Sequence, residues 1–133
     1  MAATPVRVLV VDDQAPFRDA ARAVLARGDV FELVGEAESG EDALHVVDSL
    51  QPDLVLMDIN MGGIDGIETT RRLTAAHPET TVVLVSTYAA ADLPLDVHEC
   101  GASAYLHKEE LTGRALRKLW EAGGQPGWRL RSA

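Results

Sequence analysis

The sequence predicts an α/β fold in which a five-stranded parallel sheet is covered by five helices on its two faces. Short apolar segments rich in β-branched residues alternate with segments whose apolar residues recur at helical spacing. The apolar segments carry almost no polar side chains on either face, which is typical of parallel strands buried on both sides. Strands and helices in alternation form right-handed βαβ units, so we expect a doubly wound sheet.

The strands and helices are expected in strict alternation. Strands are predicted at residues 6–11, 31–37, 53–57, 81–85 and 103–107. Helices are predicted at 15–27, from Ser39 to just before Pro52, from Ile64 to His77, at 92–100 and at 111–122. Because proline disrupts a helix interior, Pro94 places the start of the fourth helix near Asp92. Residues 1–122 would form the domain and 123–133 a tail or linker stub.

Length and composition fit one globular domain. A chain of 133 residues can bury a stable core without disulfides or structural metals. Its single cysteine, Cys100, suits a reducing compartment, so we expect a cytoplasmic protein. The net charge of −9 disfavours direct nucleic-acid binding. No apolar run approaches the roughly 20 residues of a membrane span, so membrane insertion is not expected.

Polar residues follow the predicted strands at their C-terminal ends. The first strand is followed by Asp12 and Asp13, the third by Asp58, the fourth by Ser86 and the fifth by Lys108. With a strand order of 2-1-3-4-5, the three carboxylates would converge. Helix capping could explain one acid of the pair but not the third carboxylate. A cluster of carboxylates needs a cation, and oxygen ligands suit Mg²⁺, although Mn²⁺ also fits.

Four motifs in this order resemble the receiver domain of bacterial two-component response regulators. They are "VLVVDDQAPFR", "PDLVLMDINM" with the following "DGIE", "VVLVST" and "GASAYLHK". The resemblance extends from about Val6 to Leu119 and is closest in style to the subfamily with helix-turn-helix output domains. It implies a flavodoxin-like fold.

The resemblance implies a phosphoacceptor site. Asp58 would accept a phosphoryl group from a histidine kinase, a phosphotransfer protein or a small acyl phosphate. Asp13, Asp58 and the backbone carbonyl of Asn60 would hold Mg²⁺, with Asp12 acting through water. Lys108 would pair with the phosphoryl oxygens. The domain would phosphorylate and dephosphorylate itself, rather than turn over an external metabolite.

The resemblance also implies a switch. Ser86 would hydrogen-bond the phosphoryl group, and Tyr105 would rotate inward behind it. The face built from helix 92–100, strand 103–107 and helix 111–122 would then control a downstream protein partner or form a homodimer.

Some residues depart from the family's usual pattern. Gly62 and Gly63 stand where a proline usually follows the methionine, which predicts a more mobile loop. Thr87 replaces a common alanine. Tyr88, two residues beyond Ser86, is expected to screen the phosphoryl group from water.

Alternative functions remain at the level of sequence. A stand-alone regulator is favoured by the start at Met1, and the alternative is the receiver fragment of a DNA-binding transcription regulator. A degenerate receiver would bind partners without phosphorylation. A flavodoxin-like cofactor-binding module would need a loop rich in Gly, Ser or Thr after the first strand, where this chain has acids.

Overall fold

The computed structural model describes residues 4–88, 92, 93, 97 and 99–122, together with the backbone of 129–130. The strands are β1 (Val6–Val11), β2 (Phe31–Ala37), β3 (Leu54–Asp58), β4 (Thr81–Ser86), β5 (Ala104–His107) and β6 (Arg129–Leu130). The α-helices are α1 (Ala15–Ala26), α2 (Gly40–Leu50), α3 (Gly66–Ala76) and α4 (Gly113–Ala122), and a 3-10 turn spans Lys108–Glu110. None of the helices in these residues is long and apolar enough to cross a membrane.

All the strands are parallel, in the order β2-β1-β3-β4-β5-β6. The predicted order 2-1-3-4-5 is therefore confirmed. Val11 pairs with Met57, and Asp58 pairs with Val85, so the carboxyl ends of β1, β3 and β4 lie side by side. This register brings the residues that follow these strands to one edge of the sheet.

Two features of the C-terminal third differ from the sequence prediction. Four α-helices are described rather than five, and much of the predicted helix 92–100, including Pro94, lies outside the described residues. Where that segment is described, Asp92, Val97 and Glu99 have 3-10 geometry. The segment predicted as a tail contributes β6, which pairs with Ala104 and Tyr105 at the edge of the sheet.

The last helix starts later than predicted because of its cap. It begins at Gly113 rather than at residue 111, and Thr112 Oγ1 accepts a hydrogen bond from Ala115 N at 3.0 Å. Leu111, expected inside the helix, lies before it in extended backbone and is still buried in the core.

The core consists of two apolar layers, one on each face of the sheet. Alternate residues of a strand point to opposite faces. Leu9, Val11, Val55 and Met57 therefore pack with residues of α2 and α3, whereas Val8, Val10, Leu54 and Leu56 pack with residues of α1 and α4. Because both faces of the central strands are covered, both sets of side chains must be apolar.

Two helices begin at side-chain caps, one at the predicted residue Ser39 and the other at Asp65, so that α3 starts two residues later than the predicted Ile64. Ser39 Oγ accepts a hydrogen bond from Asp42 N at 3.0 Å and starts α2, as predicted. Asp65 Oδ1 accepts one from Glu68 N at 2.8 Å and starts α3. Each cap satisfies a backbone donor that the first helical turn leaves free.

Helix α3 approaches the end of β3 through a glycine. A β-carbon at Gly66 would overlap the carbonyl oxygen of Asp58 and lie 2.8 Å from Ile59 Cα. Backbone atoms cannot move aside as a flexible side chain can. The position of Asp58 therefore depends on Gly66 having no side chain.

We expect Gly66→Ala to lower the free energy of unfolding by about 2–4 kcal/mol, because it forces α3 away from β3. Urea unfolding followed by circular dichroism measures this change. Gly62→Ala is the matched control, since a β-carbon at Gly62 meets no atom within 4 Å. Equal stabilities of the two variants would show that the close approach is not a constraint.

Candidate functional site

Three carboxylates lie together at the carboxyl edge of the sheet. Asp12 and Asp13 follow β1, and Asp58 ends the neighbouring strand β3. One oxygen from each of the three side chains lies within 4.8 Å of the others. The convergence predicted from the strand order is therefore present in the structure.

The three carboxylates differ in burial, and the burial of Asp58 raises its pKa. Asp12 is 0% exposed and Asp58 3%, whereas Asp13 is exposed. Burial, and next the charge of Asp12, raise the pKa of Asp58 from 3.8 to about 6, against the opposing effect of Lys108. Both causes disfavour a second negative charge in the same small volume.

Lys108 supplies positive charge from the far side of the site. The 3-10 turn after β5 places its Nζ 2.7 Å from Asp12 Oδ2 and 3.6 Å from Asp58 Oδ1. The ammonium also lies 4.6 Å from the centre of the Phe17 ring in α1. The nearer ion pair is with Asp12, so one lysine offsets only part of the charge of the cluster.

The cluster leaves carboxylate oxygens available to a cation. Asp12 Oδ1 accepts a hydrogen bond from Gln14 N at 2.8 Å, and Asp58 Oδ1 accepts one from Asn60 N at 3.3 Å. Asp12 Oδ2 is buried and makes no hydrogen bond of suitable angle to a described residue, although Lys108 Nζ is near. An oxygen-only donor set of three carboxylates, with one lysine beside it, fits a hard divalent ion.

Helix capping does not explain these acids. The residue that starts α1 is Gln14, and its side chain makes no capping hydrogen bond. The first turn of α1 contains no acidic residue. Asp12 and Asp13 therefore lie outside the helix and face the cluster with Asp58.

Ser86 and Tyr105 are joined by hydrogen bonds beside the cluster. Ser86 ends β4, is 1% exposed, and accepts a hydrogen bond through Oγ from Tyr88 N at 3.0 Å. The Tyr105 hydroxyl lies 3.2 Å from the Ser86 carbonyl oxygen and also contacts the Tyr88 carbonyl oxygen. Burial raises the pKa of Tyr105, so its phenol stays protonated and donates. Tyr105 lies inward in this structure.

His107 makes a contact that the sequence did not reveal. Its Nε2 lies 2.9 Å from the Thr87 carbonyl oxygen, and its Nδ1 accepts a hydrogen bond from Glu109 N at 3.1 Å. It therefore ties the loop after β4 to the turn that carries Lys108. Its position next to Lys108 at the end of a strand was the available signal.

The glycine loop after β3 is attached to α2. Gly63 has a φ of 77°, which favours glycine. Beside it, Glu41 Oε2 accepts a hydrogen bond from Ile64 N at 3.2 Å. Asn60 and Gly62 in the same loop are exposed.

This arrangement of acids, lysine and hydroxyl matches a known family. The family model described as the response regulator receiver domain matches residues 8–119. The chain belongs to that family. The receiver domain is 42% identical over 117 residues to the response regulator GacA of Pseudomonas viridiflava, covering 88% of this chain and 53% of that protein. It is 36% identical over 104 residues to the transcriptional regulatory protein DegU of Brevibacillus brevis, covering 78% and 44%.

Solved receiver structures have the same fold. A two-component response regulator of the LuxR family from Aurantimonas sp. SI85-9A1 superposes with a TM-score of 0.82 at 27% identity, covering 96% of this chain and 90% of that one. The response regulator domain of Thermotoga maritima CheB gives a TM-score of 0.80 at 26% identity, covering 91% and 98%. The receiver domain spans about half the length of the curated relatives GacA and DegU.

The raised pKa of Asp58 predicts a pH-dependent loss of stability. Because the folded-state pKa of about 6 exceeds the ordinary 3.8, the folded state binds more protons between those values, and stability falls as pH rises through them. Asp58→Asn removes this loss. In the presence of chelator, the free energy of unfolding of Asp58→Asn should equal that of the wild type below pH 4. Above pH 6 it should exceed the wild-type value by about 1–3 kcal/mol.

Urea denaturation at a series of pH values measures this difference. Asp29→Asn, which removes an exposed acid from the loop after α1, is the control and should give a flat difference. An advantage of Asp58→Asn that did not change with pH would contradict the assignment of the raised pKa.

Proposed function

We propose that the receiver domain is a phosphorylation-dependent signalling switch in which Asp58 is the phosphoacceptor. The observation that carries this proposal is the buried Asp58 carboxylate, held at the end of β3 with Asp12, Asp13 and Lys108 around it. An acyl phosphate forms when an Asp58 oxygen attacks the phosphorus of the donor, and the phosphorus bond to the leaving group breaks. Attack of water on phosphorus later returns the carboxylate and releases inorganic phosphate.

We propose that Asp12, Asp13, Asp58 and the backbone carbonyl of Asn60 hold Mg²⁺, with Mn²⁺ an acceptable substitute. The bound metal would offset the negative charge of the cluster and of an incoming phosphoryl group. The grouping of three carboxylates around a single lysine, together with the raised pKa of Asp58, supports a cation in addition to Lys108.

Lys108 and Ser86 have the chemistry to bind the phosphoryl oxygens. Lys108 Nζ lies 3.6 Å from Asp58 Oδ1 and can pair with a phosphoryl group on that side chain as a point charge. Ser86 Oγ accepts from Tyr88 N, and its hydroxyl hydrogen can donate to a phosphoryl oxygen.

Tyr105 is proposed to carry the change to the surface. Its hydroxyl contacts the carbonyl oxygens of Ser86 and Tyr88, so a shift of either residue changes its acceptors. The proposed output face comprises the predicted helix 92–100, the strand predicted at 103–107 and the last helix. It would contact a downstream protein partner or a second copy of the domain.

The phosphoryl donor is proposed to be a histidine kinase, a phosphotransfer protein or a small acyl phosphate. The single, buried Cys100 suits the reducing cytoplasm.

For the whole protein, two forms are proposed: a stand-alone regulator, or the receiver part of a longer DNA-binding regulator. The relatives GacA and DegU, about twice as long as the matched region, support the second form. An immunoblot from native cells distinguishes the two by size.

Incubation with acetyl phosphate and Mg²⁺ should add one phosphoryl group to Asp58. Intact-mass spectrometry measures the increment. We expect Asp58→Asn and excess chelator each to abolish it, because they remove the nucleophile and the metal. Asp29→Asn should be modified like the wild type. Absence of an increment with several acyl phosphate donors would instead support a degenerate receiver that acts without phosphorylation.

Tyr88 should lengthen the lifetime of the phosphorylated form. Its side chain is 43% exposed, and its backbone N–H donates to Ser86 Oγ, so the ring can shield the site from water. In the Tyr88→Glu variant, the acyl phosphate on Asp58 should hydrolyse about threefold faster than in the wild type, since a carboxylate at this position admits water. Loss of the phosphoryl increment with time measures the rate.

Tyr88→Phe keeps the ring and should retain the wild-type rate of hydrolysis. If Tyr88→Glu and the wild type lose phosphate at equal rates, the ring has no screening role.

A further inference from the structure

A cavity lies at the amino-terminal end of the strands, opposite the end that carries Asp58. It has a volume of about 230 Å³ and is bounded by the C-terminal end of α1, the start of β2 and the first turns of α4. Phe31 begins β2, whereas Asp58 ends β3, so the cavity and the carboxylate cluster are separate. Its apolar floor consists of Val24, Leu25, Val30 and Phe31, and its cationic lining of Arg27, Arg114 and Arg117.

The three arginines of this cavity have no acidic partner among the described residues. No ion pair or side-chain hydrogen bond joins any of them to that part of the chain. By contrast, Arg18 and Arg22 of α1 both pair with Glu36. All three arginines are exposed, so water solvates their charges in the absence of a ligand, and they converge on one cavity in a chain with a net charge of −9.

The start of α4 adds further positive potential. The first two residues, Gly113 and Arg114, line the cavity, and their N–H groups have no acceptor within the helix. Thr112 Oγ1 accepts from Ala115 N, so the N–H groups of Gly113 and Arg114 have no acceptor among the described residues. The first turn contains no acid. Arg114 therefore lies where the helix dipole disfavours a cation and favours an anion.

Arg27 has a different relation to its own helix. It follows the last turn of α1, where the helix dipole favours a cation. Its charge therefore stabilises α1 in the absence of a ligand. The part of the lining that an anion would compensate is therefore Arg114 in the first turn of α4, with Arg117 in the next turn adding a second contact.

We propose that this cavity binds a small amphipathic anion. An aliphatic or aromatic body would pack on the apolar floor, and a carboxylate, phosphate or sulfonate head would contact the arginines and the free N–H groups of α4. Ligand sites combine an apolar lining with a few convergent polar groups in this way. The ligand would bridge α1 and α4, and its binding does not depend on Asp58.

The probe for this site is anilinonaphthalene sulfonate, which joins an aromatic body to one anionic head. Fluorescence titration of the full chain should show saturable binding to one site. The neutral analogue phenylnaphthylamine should bind about tenfold more weakly, because it lacks the charge-assisted contacts. Absence of saturable binding, or equal binding of the two probes, would overturn the proposal.

Removal of the charges tests the role of the arginines. The triple variant Arg27→Gln, Arg114→Gln, Arg117→Gln should raise the probe Kd at least about tenfold. Lys118→Gln removes an exposed cation of α4 that does not line the cavity, and should leave Kd unchanged. An unchanged Kd in the triple variant would contradict the proposal. Thermal unfolding verifies that each variant is folded.

Blocking the cavity gives an independent test that keeps every arginine. A β-carbon at Gly28 meets no atom within 4 Å, so Gly28→Trp can fill the opening without a backbone clash. It should abolish probe binding, and retained binding in the folded variant would place the probe elsewhere.

Competition with octanoate, octyl phosphate and octanol identifies the head group: the two anions should displace the probe and the neutral alcohol should not. Displacement by octanol as effective as by the anions would contradict the anionic specificity.

Discussion

The burial of the Asp58 carboxylate, next to the buried carboxylate of Asp12, is the constraint on which the rest of the site depends. Adjacent parallel strands end in these residues, and two core layers hold the strands in place, so the carboxylates cannot separate. Lys108 lies 2.7 Å from Asp12 but 3.6 Å from Asp58, and the pKa of Asp58 stays at about 6. A fold that retains such a cluster gives up stability at a site suited to bind a cation and accept a phosphoryl group.

Hydrogen bonds between the ends of β4 and β5 connect this cluster to the neighbouring surface. Ser86 Oγ accepts from Tyr88 N, while the Tyr105 hydroxyl contacts the carbonyl oxygens of both residues. His107 binds the Thr87 carbonyl from the same strand as Tyr105. A turn of the Ser86 side chain would break its bond to Tyr88 N, and a shift of the Tyr88 backbone would remove an acceptor of the Tyr105 hydroxyl. On its other side, β5 pairs with β6.

The two ends of the strands in this parallel sheet favour ligands of opposite charge. At the carboxyl edge, buried acids exceed the available lysine and favour a cation. At the amino end of β2, Arg114 and Arg117 join the positive end of α4 around an apolar cavity and favour an anion. Helices α1 and α4 pack on the same face of the sheet, and α1 takes part in both regions, since its Phe17 ring also lies beside Lys108. Opposite charges are thus segregated along the strand direction.

The sequence by itself determined the features that depend on local pattern. Apolar runs predicted the strands β1 to β5 and, with the motifs, their order. Ser39 predicted the start of α2 because capping is local. The acids at strand ends predicted the cluster, since parallel strands end at one edge. Only the tertiary structure decided that Lys108 lies nearer to Asp12 than to Asp58, that β6 joins the sheet, and that three arginines surround one cavity. Those features arise between residues far apart in the chain, and side-chain packing, which has no local periodicity, sets them.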